Sequence, residues 1–372
     1  MCAQTSRQPE IVFGLAGEGR GHATRALTLV KAIGDSHRFR LLTSHDAFRF
    51  LEPLVSELPH VTLERLPGLK FYYRDGKLDL ARSIKKGLGY LTHLRGRAKK
   101  LAVRFQAEPP ALVISDFEST VSWAAYFADL PLVSLDHQHF LVAYDLSCLP
   151  WRLRTWALGM SLIVRAHHTW QARTIVSGFF RAPLTSAYAD AIPVGPMIRD
   201  TIRNQRPSIG DYTLSYLRPK AAEQTVRALL SSGEPMKVYG LGAQPARGQL
   251  TFHDFHPVRF VEDLAGAKAV VGAAGNQLIG ESLYLRKPYL ALPEGRHHEQ
   301  SINAFFVKQM GVGEYCKLER FDPTDLTRFY ERLETYRRGI EPHADFLDGT
   351  PDAVAAVTEL LPPVPASRLN VA

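Results

Sequence analysis

Short apolar runs, bounded by glycine, proline or charged residues, alternate with longer stretches of helical periodicity along most of this chain. The first run is Glu10–Ala16 (EIVFGLA), followed by a helical pattern from Ala23 to Ile33 and a second run at Phe39–Thr43 (FRLLT). Further on come Ala111–Ser115 (ALVIS), a helix around Val121–Ala128, and Pro131–Leu135 (PLVSL). A second set begins after Ile192–Met197, with strands predicted at Tyr212–Tyr216, Met236–Leu241, Ala269–Val271 and Pro288–Leu292. Its helices are predicted at Lys220–Leu230, Gln277–Tyr284, Gln300–Met310 and Pro323–Tyr336. Strands separated by helical segments imply parallel sheets with crossover helices. No period of roughly 20–50 residues repeats, which argues against solenoids and propellers. The fold class is therefore α/β, with two doubly wound domains facing a cleft. Residues 1–192 form the first domain, 193–210 a linker rich in Pro, Gly, Arg and Asn, 211–361 the second domain, and 362–372 a loose tail. Sheets of this kind bind ligands beyond the carboxyl ends of their strands.

Composition agrees with that division. A chain of 372 residues exceeds the roughly 250–300 at which single cores divide. Cys2, Cys148 and Cys316 are odd in number and far apart, so neither a disulfide framework nor a structural zinc site is expected. The polar first residues read as no signal peptide, and no apolar run reaches the roughly 18–20 residues that span a bilayer. A cytoplasmic protein, soluble or peripheral on the inner face of the membrane, is the expectation. The net charge is +8, and eight basic residues with no acid lie between Arg82 and Arg104. That stretch is either a solvated helical face or a surface for anionic headgroups or an acidic acceptor. No nucleic-acid-binding module is visible, so nucleic acid is not an expected partner.

The turn after the first strand reads Gly17-Glu18-Gly19-Arg20-Gly21-His22-Ala23-Thr24-Arg25. Alternating glycines allow close backbone approach, and the helix amino terminus behind them favours an anion or a developing negative charge. A dinucleotide fingerprint fails here, because its third glycine would fall where His22 stands. His22 begins a helix at the mouth of the cleft, where a neutral imidazole can accept a proton from a hydroxyl. Read by itself, it is also a residue that simply caps the helix or packs on the turn.

The most informative stretch runs from Gly272 through Gly275, Asn276, Gln277 and Glu281 to Glu299, Gln300 and Asn303. Small residues at Gly272–Gly275 end a strand and open a helix, so free backbone N–H groups point at an incoming diphosphate. Glu281 lies in that helix, where a carboxylate can accept from two ribose hydroxyls. Glu299 and Gln300 fall beyond the next strand, where sugar hydroxyls need paired acceptors and donors.

This segment, with the glycine-histidine turn, resembles the donor signature of the GT-B superfamily of glycosyltransferases. It is similar to UDP-glycosyltransferases, to the group that makes lipid II, and to bacterial and archaeal proteins with a Gly-x-Gly-x-Gly-His-x-x-Arg opening. The resemblance implies two Rossmann-like domains and a metal-independent transfer from a nucleotide-diphosphate sugar, UDP-sugar being expected, with no bound cofactor. It assigns Gly272–Asn276 and Gln277 to the diphosphate loop, Glu281 to the ribose, and Glu299 and Gln300 to the sugar. Phe260 and Val261, in Phe260-Val-Glu-Asp-Leu264, match the segment that meets the nucleobase, although Phe260 is equally a core residue. Gly17, Gly19, Gly21 and Arg25 fall on the acceptor side. Asp116, at the end of Ile114-Ser-Asp-Phe-Glu118, is the acid that orients the histidine base, or else a helix N-cap, with Glu118 in reserve.

One departure is Leu217-Arg218-Pro219, where relatives carry a glycine-serine loop, so phosphate contact passes to Arg218 or to Arg247 and Gly248, or else this loop is inactive. Asp136-His137-Gln138-His139 is placed to meet the acceptor and lacks metal-site spacing, while His297-His298-Glu299 suggests a metal that the resemblance to GT-B enzymes argues against. Trp151, Trp156 and the arginines from Arg152 to Arg165 make either an interfacial helix or an ordinary packed one. The expected reaction is direct displacement with inversion, with His22 or Asp116 as base and a lipid-linked or polyanionic acceptor. A sugar-nucleotide hydrolase or epimerase, and a non-catalytic sugar-nucleotide or lipid-binding protein, are the alternatives.

Overall fold

The computed structural model describes residues 8–362 apart from 69–72, 75–76, 79, 168–169, 219–221 and 296. The first half opens with β1 (Glu10–Leu15), α1 (Gly21–Ile33), β2 (Arg38–Thr43), α2 (His45–Val55) and β3 (Val61–Arg65). A small hairpin of β4 (Tyr73–Arg74) and β5 (Lys77–Leu78) leads to α3 (Leu80–Ala107), β6 (Leu112–Asp116), α4 (Ser119–Phe127) and β7 (Leu132–Asp136). Then follow α5 (Phe140–Ala143), α6 (Trp151–His167), β8 (Arg173–Ser177), β9 (Ile192–Val194) and the single turn α7 (Asp200–Arg203). The second half contains β10 (Thr213–Tyr216), α8 (Ala222–Ser231), β11 (Met236–Tyr239), β12 (Leu250–His253), α9 (Pro257–Gly266) and β13 (Ala269–Gly272). It closes with α10 (Asn276–Tyr284), β14 (Tyr289–Ala291), α11 (His298–Gln309), β15 (Gly313–Tyr315), α12 (Pro323–Tyr330), α13 (Leu333–Ile340) and α14 (Thr350–Thr358).

Two parallel sheets result, in the orders β3-β2-β1-β6-β7-β8-β9 and β12-β11-β10-β13-β14-β15. The central strands β6 and β7 are buried along their whole length, as strands covered by helices on both faces must be. In each sheet the order reverses beside the first strand, between β1 and β6 and between β10 and β13. Such reversals open a crevice at the carboxyl edge, because the flanking crossovers leave on opposite faces. The glycine turn follows β1, Asp116 ends β6, and Gly272 ends β13, so both predicted site segments lie at these crevices. Among the described residues, no helix is long and apolar enough to cross a membrane.

The domain boundaries differ in detail from the sequence reading. Pro193 and Val194 finish the last strand of the first sheet rather than starting the linker. The predicted helix Pro323–Tyr336 is two helices, α12 and α13, interrupted at Glu331–Arg332. The chain also returns: Ala353, Ala356 and Val357 of α14 share an apolar core with Ile11, Phe13 and Ala26, so this helix completes the first domain. Residues 363–372 of the expected tail, and Lys220 and Ala221 of the expected helix Lys220–Leu230, lie outside the described residues.

The stretch from about Phe140 to Ser186, featureless in sequence, joins the two domains. Phe140, Phe179 and Phe180 belong to one apolar core with Ala274, Ile279 and Phe306 of the second domain. The rings of Phe180 and Phe306 stack at 3.8 Å. Trp156 of α6 stacks on His298 of α11 at 4.7 Å. Where the chain crosses back, Gly349 N–H donates to Pro196 O (3.0 Å) and Ile198 N–H to Thr350 Oγ1 (2.9 Å). A Cβ on Gly195 would lie 1.7 Å from Phe346 O, so only glycine lets the two backbones pass. Gly195→Ala should therefore force the crossing apart at a cost of about 2 kcal/mol or more. A melting temperature several degrees below wild type checks this, whereas an unchanged one would mean that the crossing adjusts freely.

Candidate active site

The first half of the site is a knot of three side chains around one buried carboxylate. Leu15 and Asp116 are register partners at the ends of β1 and β6, and Ala16 N–H donates to Asp116 O (2.9 Å). The first turn of α1 therefore lies over the end of β6. His22 Nδ1 is 2.7 Å from Asp116 Oδ1, while Arg25 donates from Nε to Oδ2 (2.8 Å) and from Nη2 to Oδ1 (3.2 Å). Asp116 is fully buried, and the His22 side chain keeps 13% exposure. Burial alone would raise the Asp116 carboxyl, but Arg25 and His22 outweigh it and hold the group below its ordinary value. Against a carboxylate, Nδ1 carries the ring proton, which leaves Nε2 with a lone pair.

The glycines do distinct things. A Cβ at Gly17 would lie 2.0 Å from Ser44 Oγ, and Gly19 sits at φ +76°, whereas Gly21 faces open space. Glu118, not Asp116, is the helix cap: it accepts from Val121 N–H (2.7 Å), with Tyr90 OH 3.2 Å from its other oxygen. Phe117 between them takes φ 56°, so neighbouring acids serve separate structures.

The second half lies at the ends of β13 and β14. Gly272–Gly275 form the turn into α10 as expected from sequence, but the polar residues behind it are engaged by the first domain. Asn276 Oδ1 accepts from Phe179 N–H (3.2 Å), and its Nδ2 donates to Ser177 O (3.4 Å). Gln277 Nε2 donates to Met197 O (2.9 Å) and to Glu281 Oε1 (3.0 Å). Asn303 Nδ2 donates to Ala274 O (3.0 Å), and its Oδ1 is 3.2 Å from His137 Nε2.

Glu281 corrects one expectation. Its carboxylate is 2% exposed, and Arg199 grips both oxygens at 2.8 Å. It acts here as a clamp between the linker and α10, and a ribose would reach it only by displacing Arg199. Phe260 and Val261 correct another: both are buried in the middle of α9, where the Phe260 ring meets Tyr216, Tyr239 and Phe255 edge-on or tilted. Their side chains pack in the apolar core here. Phe255, on the turn after β12, is half-buried and lies under the Arg20 guanidinium of the glycine turn at 4.6 Å. Sequence reasoning passed over it, although an aromatic immediately beyond a strand's carboxyl end, two residues before the helix-starting Pro257, was a legible signal. An open cavity of about 490 Å³ adjoins it, lined by Phe252, His253, His256 and Arg259 among others.

Glu299 and Gln300 open α11. Gln300 Oε1 accepts from Glu294 N–H (2.9 Å), while its buried Nε2 has no partner among the described residues. Burial lowers His137 and Glu299 only partly offsets it, while Arg25, against the pull of burial, is raised chiefly by Asp116 and least by Glu299, so the Glu299 carboxylate lies across from the Asp116 knot. His297 caps α11 and is lowered by burial, and His298 stacks on Trp156. His137 and His139 are too deeply buried to meet an acceptor; His139 Nδ1 is held 2.7 Å from Asp136 Oδ2. Arg218 is paired with Glu294 (3.6 Å) and Arg247 with Glu223 (3.6 Å), both half-exposed.

The chain matches the family model described as Glycosyl transferase family 1 over residues 9–334. It is 24% identical over 381 residues to an uncharacterised glycosyltransferase of Methanosarcina acetivorans, covering 95% of this chain and 97% of that one. It superposes on a Phytolacca americana UGT2 complexed with UDP-2-fluoroglucose and pterostilbene (TM-score 0.69, 14% identity, 95% and 99% coverage). The calicheamicin glycosyltransferase CalG4 is similar (TM-score 0.67, 16% identity, 98% and 100% coverage). These likenesses make the two facing Rossmann-like domains a GT-B fold.

Because the folded Asp116 carboxyl titrates below its unfolded value of roughly 3.9, its contribution to stability is complete at neutral pH. That contribution is lost as pH falls below roughly 4 toward the folded value. Asp116→Asn should lower the melting temperature at pH 7, since it leaves the Arg25 charge buried and unbalanced, a cost of about 3–5 kcal/mol. The gap from wild type should narrow as pH falls through roughly 4. Melting curves across that range check it; a gap independent of pH would remove the charge from the explanation.

Proposed function

Since this chain belongs to glycosyl transferase family 1, we propose that it moves a sugar from a nucleotide-diphosphate donor, a UDP-sugar in this reading, to an acceptor hydroxyl with inversion. The observation that carries the reading is the 2.7 Å contact between His22 Nδ1 and Asp116, which leaves Nε2 as the proton acceptor of a partly exposed imidazole. Asp116 is then a positioning residue, fully buried and held by Arg25. His22 takes the acceptor's proton as its oxygen bonds to the anomeric carbon, and the bond from that carbon to the diphosphate oxygen breaks on the opposite face.

The departing diphosphate carries the charge that must be stabilised. The turn Gly272–Gly275 ends at the amino terminus of α10, whose unpaired N–H groups and dipole favour it. Arg218 supplies a cation by exchanging Glu294 for phosphate, so this mechanism runs without a metal ion. The unpartnered Gln300 Nε2 fits a sugar hydroxyl as acceptor, and Glu299 beside it fits a hydroxyl as donor. The base stacks on Phe255, in the place now covered by Arg20, beside the cavity lined by His253 and Arg259.

His22→Ala should lower transfer by roughly 10²–10⁴-fold while leaving donor affinity within about a factor of two, as for a lost general base. Turnover measured by nucleotide release, with and without acceptor, alongside donor binding, checks both halves. Near-normal turnover would remove His22 as the base. Equal release without acceptor would make the chain a hydrolase.

A further inference from the structure

Six of the eleven exposed large hydrophobic side chains among the described residues lie together on the first domain. Trp151, Leu158, Leu162 and Ile163 are on α6, and Tyr126 and Trp170 stand beside its carboxyl end, stacked on each other at 4.0 Å. Trp151, Thr155, Leu158 and Leu162 recur at helical spacing, so they form one face. Leu158 is 63% and Leu162 69% exposed, although Ala157 and Val164 on the opposite face are buried. Arg152, Arg154 and Arg165 rim the apolar face, and the helix contains no Asp or Glu. The nearest acid before it is Asp145, which lies in the field of Arg154 and caps Ser147 N–H. Lys99 of α3 reaches over the Phe127 ring (5.8 Å), and the exposed Arg95, one turn before it, shares that face of α3. Of the basic stretch Arg82–Arg104, the side chains of Arg82, Lys85 and Lys86 lie outside the described residues.

We propose that this face of α6, with the Tyr126–Trp170 pair, docks on an anionic lipid bilayer. Leucine and isoleucine on the outer face of a packed helix have no internal role, and tryptophan beside them suits the headgroup boundary. Charge chooses the occupant. A second copy meeting this face about a two-fold axis would set arginines against arginines, and the exposed acids beside it among the described residues, Asp129 and Asp145, are too few to answer Arg152, Arg154 and Arg165. Anionic headgroups complement the same rim, and each arginine near them adds attraction that salt screens. The opposite side of α6 carries Trp156, stacked on His298 next to Glu299, so the docked face lies one helix away from the candidate sugar-binding turn. This inference goes beyond the transfer reading and is tested without donor or acceptor.

The test is flotation of the full chain with vesicles of phosphatidylglycerol and phosphatidylcholine, or of phosphatidylcholine alone, at low and high salt. Wild type should float with the anionic vesicles at low salt, be released by salt, and ignore the neutral ones. Leu158→Glu with Leu162→Glu, and separately Arg152→Glu with Arg154→Glu, should weaken binding roughly tenfold or more while melting as wild type does. Val258→Glu, an exposed apolar site on the second domain, should bind unchanged. No flotation at low salt, or undiminished flotation of the α6 variants, overturns the proposal. So does self-association in solution that the Leu158→Glu, Leu162→Glu variant abolishes, which would make the face a contact between copies.

Discussion

A carboxylate with no access to water sits at the end of the central strand of the first sheet, and much of the site is organised around keeping it charged. Removing Asp116 from solvent is costly unless cations and hydrogen bonds compensate. Arg25 supplies a two-pronged contact and His22 a third, both from consecutive turns of α1. That requirement fixes the rotation of α1 over β6, the tautomer of His22 and the direction of its free nitrogen together. The glycine turn is what permits it, because Gly17 lets the chain pass within contact of Ser44 before the helix begins. Chemistry and fold are thus specified by the same three side chains.

The second constraint is the join between domains. It is partly apolar, through Phe180 on Phe306, and partly polar, through Asn276, Asn303 and the Arg199–Glu281 pair. The residues that line the donor turn from behind are therefore also the ones that hold the domains in register. A ligand that draws Glu281 from Arg199, or Phe255 from Arg20, would change both the site and the domain contact. In the proposed reading, donor binding would be coupled to the domain contact, since the same hydrogen bonds would serve both.

Much of this was legible in the sequence, and for definite reasons. Parallel strands buried on both faces are continuous apolar runs, so β1, β6, β7 and β13 stood out, and with them the crevices where His22 and Gly272 lie. The short strands β3, β12 and β15 did not, because an edge strand is only half-covered and its pattern resembles a loop. Glu281 was recognisable as a motif residue, but its partner Arg199 is 82 positions away, and pairing at that range leaves no local trace. Phe260 and Phe255 differ only in which way the turn before α9 aims them; helical burial takes the first and the strand end presents the second. The return of α14 to the first domain depends on two glycines crossing, which no periodicity announces.

In the proposed reading a nucleotide sugar lies between the α10–α11 face and His22, with the Gln300 amide against it. Thermal unfolding with a panel of nucleotide sugars tests this most directly, since a bound ligand raises stability with the logarithm of its concentration. One nucleotide class, sugar-bearing, should raise the melting temperature of wild type, and Gln300→Ala should lose most of that shift while keeping the shift given by the bare nucleoside diphosphate. A panel that leaves wild type unmoved at millimolar concentrations, or a Gln300→Ala protein that responds as wild type does, would contradict it.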